Sequence, residues 1–469
     1  MPPPKLSQPI TSIQGVRVAG SSSIWDINLQ CPSNSSRGTI ASVTPHANSL
    51  DCSDQLECPL ALPALTHPHI HLDKAFVHNA REYVDLLPCE GTFQEALSFT
   101  TKAKQQFTLP DILKRGEWLL AESVSSGVTA MRAFVEVDHT VNLTCVDAAV
   151  TLKRQWQEVC EIQVVSFAQD PLFSTLHGEE NRSLIEEALG RFSEIDVIGT
   201  TPYVESTAEA AKSNIDWAID RAMQLDKHLD FHLDYNLDPN REALLWHVLE
   251  ALQQRGWTAS STRRRVMLGH CTRLTLLTDE EWSRAAQIIR DQDLPVSFVG
   301  LPTSDLYMAS PPDPVISHHR PRGTLRVPEI IRRHGLDAVL GVNNVGNAFT
   351  PWGSADPLFL ACVGVGVYQA GTQSDAALLY ECVSTRARAA IGLAPSDPSL
   401  VLQTQGSADL LLFNNHDDTG CGVFRPRASV AEVVWDPPVR SNRHLIVNGR
   451  RKIPQQGLAS NTAVYRFRH

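Results

Sequence analysis

Two histidines, His69 and His71, stand one residue apart in the apolar stretch THPHIHLD. In a β-strand, side chains two residues apart point to the same face. Adjacent imidazoles make poor core filler, but neutral imidazole is a good ligand for zinc, iron or nickel. His232, in the stretch LDFHLDY, offers a third imidazole, and three histidines leave a position open for water. We therefore predict that His69, His71 and His232 bind one divalent metal ion, zinc or iron, rather than serving as hydrogen-bonded core residues.

Eight apolar, β-rich segments recur along the chain, and most of them end in polar or ionisable residues. They cover residues 64–73, 129–137, 162–170, 196–204, 229–235, 265–271, 294–302 and 338–344. Near-continuous apolar runs are typical of parallel strands that are buried on both faces. Helical stretches lie between most of them, beginning near Pro110, Thr207 and Asp279. The alternation predicts an α/β fold, a (β/α)8 TIM-like barrel. A doubly wound open sheet is the alternative, but no GxGxxG turn supports it.

The two ends of the chain differ from this middle part. Residues 8–60 hold short β-like pieces broken by Ser, Asn, Pro and Gly, and residues 407–452 repeat that texture in ADLLLFN, VAEVVW and HLIVNGR. We predict a small β-sandwich domain built from residues 1–62 plus 406–469. The barrel, residues 63–405, is then inserted between its two halves.

Composition narrows the class of partner. The formal net charge is −11, which argues against nucleic acid or an anionic membrane as the main partner. None of the ten cysteines forms a CxxC pair, and no run of about 18 apolar residues occurs. The first residues, MPPPKLSQPITS, lack the apolar core of a signal peptide. We expect a cytoplasmic protein with a small-molecule partner, and we leave self-association into a homo-oligomer open.

In a barrel of this kind, functional side chains lie at the carboxyl ends of the strands. The polar residues that end the predicted strands would therefore meet at one mouth. Besides the three histidines, they are His67, Asp73, Glu136, Gln169, Asp170, Tyr203, Asp234, Tyr235, His270, Asn343 and Asn344. We expect Glu136 and Tyr203 to be rim residues. The Pro-rich stretch 301–323 is typical of a loop that covers such a site.

Four stretches together resemble the cytosine-deaminase-like branch of the amidohydrolase superfamily. They are THPHIHLDKAF at 66–76, FHLDY at 231–235, LGHC at 268–271 and GVNNVGNAFTPWG at 341–353. The resemblance implies that His69, His71 and His232 are metal ligands, and that His270 acts on water and substrate. It also implies that Gln169 binds a substrate amide and that Trp352 lines the pocket. The implied reaction is hydrolysis of a C–N bond in a small cyclic amide, amidine or N-heterocycle.

Two positions depart from the pattern of the superfamily. Tyr235 stands where the family has a proton-shuttling Glu, and Asn343 stands where it has a metal-binding Asp. Because Asn cannot accept a proton at neutral pH and is a weak neutral ligand, metal binding is weakened and the metal is either retained or lost. Each lost acid–base role costs about two to four powers of ten in rate. Ordinary deamination therefore requires Asp234, His270 or Tyr235 to substitute.

Three functions remain open from the sequence. The first is metal-dependent hydrolysis, with Asn343, Asn344, Gln169 and Trp352 binding the substrate. The second is a non-hydrolytic cyclase, isomerase or lyase of specialised metabolism, with or without metal, in which His270 and Tyr235 move protons. The third is a non-catalytic relative that binds a ligand. We take the hydrolase as the principal hypothesis.

Overall fold

Short strands with mixed burial open the chain. The computed structural model describes residues 2–31, 37–47, 57–309, 318, 321–394, 398–415, 420–422 and 424–453. The first five strands are β1 (Leu6–Pro9), β2 (Ser12–Val18), β3 (Trp25–Gln30), β4 (Thr39–Pro45) and β5 (Leu60–Pro63). Alternation in β2 and β3 places Val16, Ile27 and Leu29 on one buried face. These strands therefore have one face covered and one face open.

Eight strands with almost continuous burial follow. They are β6 (Leu65–His71), β7 (Val128–Glu136), β8 (Glu161–Ala168), β9 (Ile195–Thr200), β10 (His228–Leu233), β11 (Val266–His270), β12 (Val296–Gly300) and β13 (Ala338–Leu340). All neighbours pair in parallel and in chain order. The predicted barrel is confirmed, and each of the eight predicted segments overlaps one of its strands.

Helices connect the barrel strands. They are α1 (Phe93–Lys104), α2 (Leu109–Ser126), α3 (Thr144–Trp156), α4 (Gly178–Arg191), α5 (Ala208–Gln224), α6 (Leu245–Gln254), α7 (Asp279–Asp291), α8 (Pro302–Met308), α9 (Val327–His334), α10 (Pro357–Val367), α11 (Gln373–Glu381) and α12 (Thr385–Ala390). Five 3-10 turns add Val77–Asn79, Arg81–Leu86, Pro202–Val204, Thr272–Leu276 and Arg440–Asn442. The predicted starts are confirmed because local caps fix them: Thr108, Thr207 and Thr278 each accept a backbone N–H of the first turn.

The chain returns to the first sheet at its end. The last elements are β14 (Leu410–Phe413), α13 (Val430–Trp435), β15 (Arg443–Val447) and β16 (Arg450–Lys452). This sheet has the order β1-β16-β15-β14-β5-β2-β3-β4, so both ends of the chain build it, as predicted. The domain boundaries at residues 62 and 405 stay a prediction.

The prediction of a strand at VAEVVW is wrong, because residues 430–435 form α13. Ser429 accepts the N–H of Glu432 at 3.3 Å, and the Glu432 carboxylate accepts the N–H of Ala428 at 2.8 Å. This reciprocal cap selects a helix locally. The buried Val433 and Val434 then pack in the main hydrophobic core. β-branched residues were a weaker signal here than the cap.

Candidate active site

The barrel closes through backbone atoms of three predicted site residues. The N–H of His71 donates to the carbonyl of Asn343 at 2.8 Å, and the N–H of Asn343 donates to the carbonyl of His69 at 3.1 Å. Strands one and eight therefore meet where the histidines leave β6. The same hydrogen bonds therefore close the sheet and position the site.

His67 does not join the other histidines of its strand. Four residues of β6, from His67 to Ile70, oppose three residues of β7, from Met131 to Ala133, and this one extra residue is a β-bulge. The extra residue changes which face each side chain takes. His67 consequently lies within 3.1 Å of the Ser123 hydroxyl on α2, outside the barrel interior. Burial lowers its pKa to about 4, so it is a neutral packing residue.

The three predicted ligands converge inside the barrel. The Nε2 atom of His232 lies 3.2 Å from Nε2 of His69 and 3.1 Å from Nε2 of His71. All three side chains are buried, with at most 2% of their surface exposed. The nitrogens come from strands on opposite sides of the barrel, so no local motif accounts for their meeting.

The chemistry of this cluster fits a metal cation. Burial, the largest cause, lowers the pKa of all three histidines well below its usual range, and neighbouring cationic groups add to the effect. Neutral imidazoles cannot all satisfy each other at this spacing, because one N–H can serve only one partner. Three lone pairs directed at one point would instead bind a divalent ion with an open position.

Asn343 lies beside this cluster with part of its amide unused. Its Nδ2 donates to the Ser304 hydroxyl at 2.9 Å. Its Oδ1 makes no hydrogen bond of good geometry to a described residue, although the amide is near enough to His69 and His71 to favour their charged forms. A neutral oxygen at this place would be a weak fourth ligand or would hold water.

His270 is paired with a residue that the sequence analysis missed. Its Nδ1 lies 2.7 Å from Oδ1 of Asp305, and both side chains are buried. Asp305 comes from α8, which follows strand seven. Strand seven had contributed no candidate, because its predicted segment ends at Pro302 and the acid lies in the following helix. The Pro302 start of that helix was the available signal.

Tyr235 and Asp234, predicted as acid or base, lie in different surroundings. The Tyr235 ring packs against His270 with 4.0 Å between centroids, and burial raises its pKa well above its usual range. A phenolic acid or base was the hypothesis, and a raised pKa keeps the phenol protonated, which disfavours the base. The Asp234 carboxylate instead accepts the N–H groups of Leu244 and Leu245 at 2.8 and 3.1 Å. Asp234 therefore holds the start of α6.

A narrow cavity lies over the histidines. It is lined by His71, Lys74, Gln169, Tyr203, His232, Tyr235, His270, Ser304, Asn343, Asn344 and Phe349. The predicted substrate-binding residues Gln169, Asn343 and Asn344 are thus brought together. Trp352 is not: it is 40% exposed and lies outside this lining, and Phe349 is the aromatic residue of that loop that faces the cavity. The loop turns at Asn347, whose amide binds the Lys74 carbonyl at 3.1 Å.

One wall of the cavity rests on a buried ionic network. Lys74 contacts the Gln169 amide oxygen at 3.2 Å and Glu136 at 2.8 Å. Lys104 of α1 contacts Glu136 at 2.6 Å, Asp138 at 2.5 Å and Asp170 at 3.3 Å. Glu136 is therefore a buried ion-pair residue, which contradicts the prediction of a solvated rim acid. The two lysines hold the pKa of Glu136 below its usual range against the effect of burial.

Two other groups near this wall have structural roles. Asp73 accepts the N–H of Glu136 at 2.7 Å and so ties β6 to β7. Asp138, His139 and Asp170 lie close enough to share a cation, but the Lys104 ammonium already contacts both carboxylates. That cluster is therefore neutralised within the protein.

The stretch expected to cover the site is only partly within the described residues. Its first part is α8 rather than loop, since Pro302 begins a helix that runs to Met308. His319 and Arg320 lie outside the described residues, and His318 is exposed. No helix of the described chain is long and apolar enough to cross a membrane.

Comparisons with known proteins agree with this fold. No family model matches the chain. In sequence it is 20% identical over 356 residues to N-isopropylammelide isopropyl amidohydrolase of Pseudomonas sp. (strain ADP), covering 76% of this chain and 80% of the relative. In structure it is similar to 5-methylcytosine deaminase from Klebsiella pneumoniae, with a TM-score of 0.76, 21% identity and coverage of 98% of this chain and 99% of the other.

Two further solved structures share the fold. N-isopropylammelide isopropylaminohydrolase from Burkholderia multivorans has a TM-score of 0.69 and 20% identity over 94% of this chain and 98% of the other. A zinc complex of atrazine chlorohydrolase from Arthrobacter aurescens has a TM-score of 0.62 and 16% identity over 94% and 95%. The predicted resemblance is confirmed: the chain has the fold of the amidohydrolase superfamily and is similar to its cytosine-deaminase-like members over most of its length.

Proposed function

We propose that this protein is a metal-dependent hydrolase that cleaves a C–N bond in a small N-heterocycle or cyclic amide. The observation that carries the proposal is the convergence of three buried, neutral imidazole nitrogens at 3.1 and 3.2 Å. Relatives support the substrate class, since their names describe enzymes acting on ammelide and cytosine derivatives. A zinc-containing relative supports the choice of zinc.

His69, His71 and His232 would hold the ion, and Asn343 would face it as a neutral neighbour. A divalent ion bound there supplies Lewis-acid activation of water at neutral pH. His270 lies next to His232, with 5.2 Å between ring centroids, and faces the same cavity. It would accept and return a proton in that cavity.

The cavity wall offers donors and acceptors to a planar heterocycle. Gln169 can both donate and accept, Asn344 likewise, and Lys74 donates. Tyr203, Tyr235 and Phe349 present aromatic surface to the same space. Apolar faces with a few fixed polar groups are typical of small-molecule sites.

The altered positions predict a slower or differently organised reaction than in a site with Asp and Glu. The non-hydrolytic alternative depended on these same two replacements and on Tyr235 as an acid or base. The raised pKa of Tyr235 and the hydrolases among the relatives give that alternative no support.

Metal analysis tests the proposal directly. We expect about one equivalent of zinc or iron per chain in the purified protein. His232→Ala should leave less than about a tenth of an equivalent, because a three-ligand site loses most of its affinity with one ligand removed. His247→Ala is the matched control, since that histidine lies on the outer helix α6 with an Asp216 partner at 3.3 Å. Equal metal content in parent and His232→Ala would refute the proposed site.

Activity is tested by release of ammonia or amine. The panel contains cytosine, 5-methylcytosine and N-isopropylammelide, with His270→Gln as the inactive reference. We expect the parent protein to turn over at least one of these compounds or a close heterocyclic analogue. His270→Gln should not turn over the same compound. Bound metal with no turnover across the panel would favour a ligand-binding relative over an enzyme.

A further inference from the structure

We infer that Asp305 is a positioning residue that fixes the tautomer of His270, with the proton on Nδ1 and the lone pair of Nε2 facing the cavity. The contact is Nδ1 of His270 to Oδ1 of Asp305 at 2.7 Å, inside the protein. A carboxylate only accepts hydrogen bonds, so the imidazole nitrogen that faces it must carry the proton. The inference rests on the proposed function only for the use made of the free nitrogen.

The orientation of Asp305 is itself fixed by two other donors. Its second oxygen, Oδ2, accepts the Thr324 hydroxyl at 2.8 Å and the N–H of Leu301 at 3.2 Å. Thr324 lies shortly before α9, and Leu301 directly follows strand seven. With both donors on Oδ2, the other oxygen, Oδ1, is directed at the imidazole.

The aromatic neighbours hold the ring in the matching plane. Tyr235 packs against one face of His270 with 4.0 Å between centroids and 33° between the ring planes, and Tyr203 meets it edge-on at 6.4 Å. The backbone of His270 adopts a left-handed φ of 64°, which aims the side chain inward at the end of β11. This packing restrains the ring tilt, and the Asp305 bond selects which nitrogen faces the cavity.

This arrangement makes His270 a proton acceptor at the cavity, a role that Asn343 and Tyr235 do not fill. Asn343 is an amide and Tyr235 is a neutral phenol, so neither accepts a proton readily. Among the described residues that line the cavity, His270 is the imidazole with a carboxylate partner. Asp305 thus selects one of the two neutral tautomers of His270, the one whose Nε2 can accept a proton in the cavity.

The substitution Asp305→Asn tests the inference because it replaces one carboxylate oxygen by an NH2 group and keeps the shape of the side chain. The N–H of Leu301 can only donate, so the new amide must turn its oxygen toward Leu301. Its NH2 group then faces Nδ1 of His270, which must give up its proton. The proton moves to Nε2, and the tautomer reverses.

The measurement is a two-bond 1H–15N correlation spectrum of the full-length, zinc-analysed protein labelled with 15N-histidine, recorded at pH 8. His270→Gln identifies the His270 signals. We expect a protonated Nδ1 and an unprotonated Nε2 in the parent, and the reverse in Asp305→Asn. Thr324→Val, which removes one donor from Oδ2 but none from Oδ1, should keep the parent tautomer.

A protonated Nε2 in the parent, or an Asp305 that is itself protonated and donates to Nδ1, would overturn the inference. An unchanged tautomer in a folded Asp305→Asn variant would do the same. If that variant does not fold, the parent spectrum and Thr324→Val still decide. Absence of metal would refute the proposed function while leaving the tautomer result standing, so the two failures are distinguishable.

Discussion

Replacing Lys104 by Met should destabilise the protein far more than its position on an outer helix suggests. The Lys104 ammonium is 4% exposed and contacts three carboxylates, of Glu136, Asp138 and Asp170, at 2.5 to 3.3 Å. Without it, Lys74 is the cation left beside Glu136 in the described network. Breaking a buried ion pair by removing one partner costs about 3–5 kcal/mol, because the remaining charge stays desolvated.

The loss converts into a measurable shift in melting temperature. An unfolding entropy of about 2.1 cal/mol/K per residue gives about 1 kcal/mol/K for 469 residues. Lys104→Met should therefore melt about 3–5 °C below the parent at pH 7. Lys102→Met is the matched control on the same helix: its side chain is exposed, and it should change the free energy of unfolding by less than about 0.5 kcal/mol.

The pH dependence has a definite sign. In the parent, the pKa of Glu136 is held low by Lys104 and Lys74, so its contribution to stability is present above the unfolded pKa and is lost as pH falls. In Lys104→Met, that pKa rises, so the carboxylate takes up a proton at a higher pH than in the parent. The difference in melting temperature should therefore be largest near pH 7 and shrink toward pH 4.5. A difference that is equal at both pH values, or equal to that of Lys102→Met, would refute the buried-network reasoning.

Three further changes test the site and its supports. Asn343→Asp combined with Tyr235→Glu should raise zinc affinity at least about tenfold, or about 1.4 kcal/mol, as measured by competition with a chelator; no gain would contradict the alignment of strand eight. Gly341→Ala places a methyl group 3.0 Å from Cβ of His69 and 2.8 Å from Leu301. It should lower the free energy of unfolding by about 1–3 kcal/mol and lower the metal content. Gly371→Ala is the control: its methyl group meets nothing within 4 Å, so it should change neither. Glu205→Ala removes the acceptor of the Leu172 N–H, the Ser174 hydroxyl and the Asn214 amide. It should lower the free energy of unfolding by about 2–4 kcal/mol, as measured by thermal unfolding. Glu209→Ala, at an exposed residue, should change it little.

The barrel was predictable because its signals are local and repeated. Each strand is an apolar run that ends in polar residues, and several helices begin with a Thr cap. The convergence of His69, His71 and His232 follows once those strands close in chain order. Periodicity alone then places three distant residues at one mouth.

The rest depends on contacts that periodicity does not encode. The bulge that turns His67 outward arises from pairing between β6 and β7. The ion pair between Glu136 and Lys104 joins the end of strand β7 to helix α1. Trp352 and Phe349 are three residues apart in one loop, and only its turn decides which aromatic side chain faces the cavity. In the same way, Asp305 enters the site from a helix that the sequence had predicted as loop.

The backbone at the strand ends argues that the site is maintained for ligand chemistry. Asp234, His270, Cys271 and Asn343 all have left-handed φ values between 51° and 65°. For residues other than glycine, this conformation costs about 1–2 kcal/mol each, and it persists only where the surroundings enforce it. The residues end three different strands, and each turn directs a side chain of the strand end either to the cavity or to the support beneath it. Apolar packing of the barrel does not require these turns, since the other strands leave it without them. A barrel that had lost its ligand would gain stability by relaxing them, so their coincidence with the histidine cluster favours a functional site over a vestigial one.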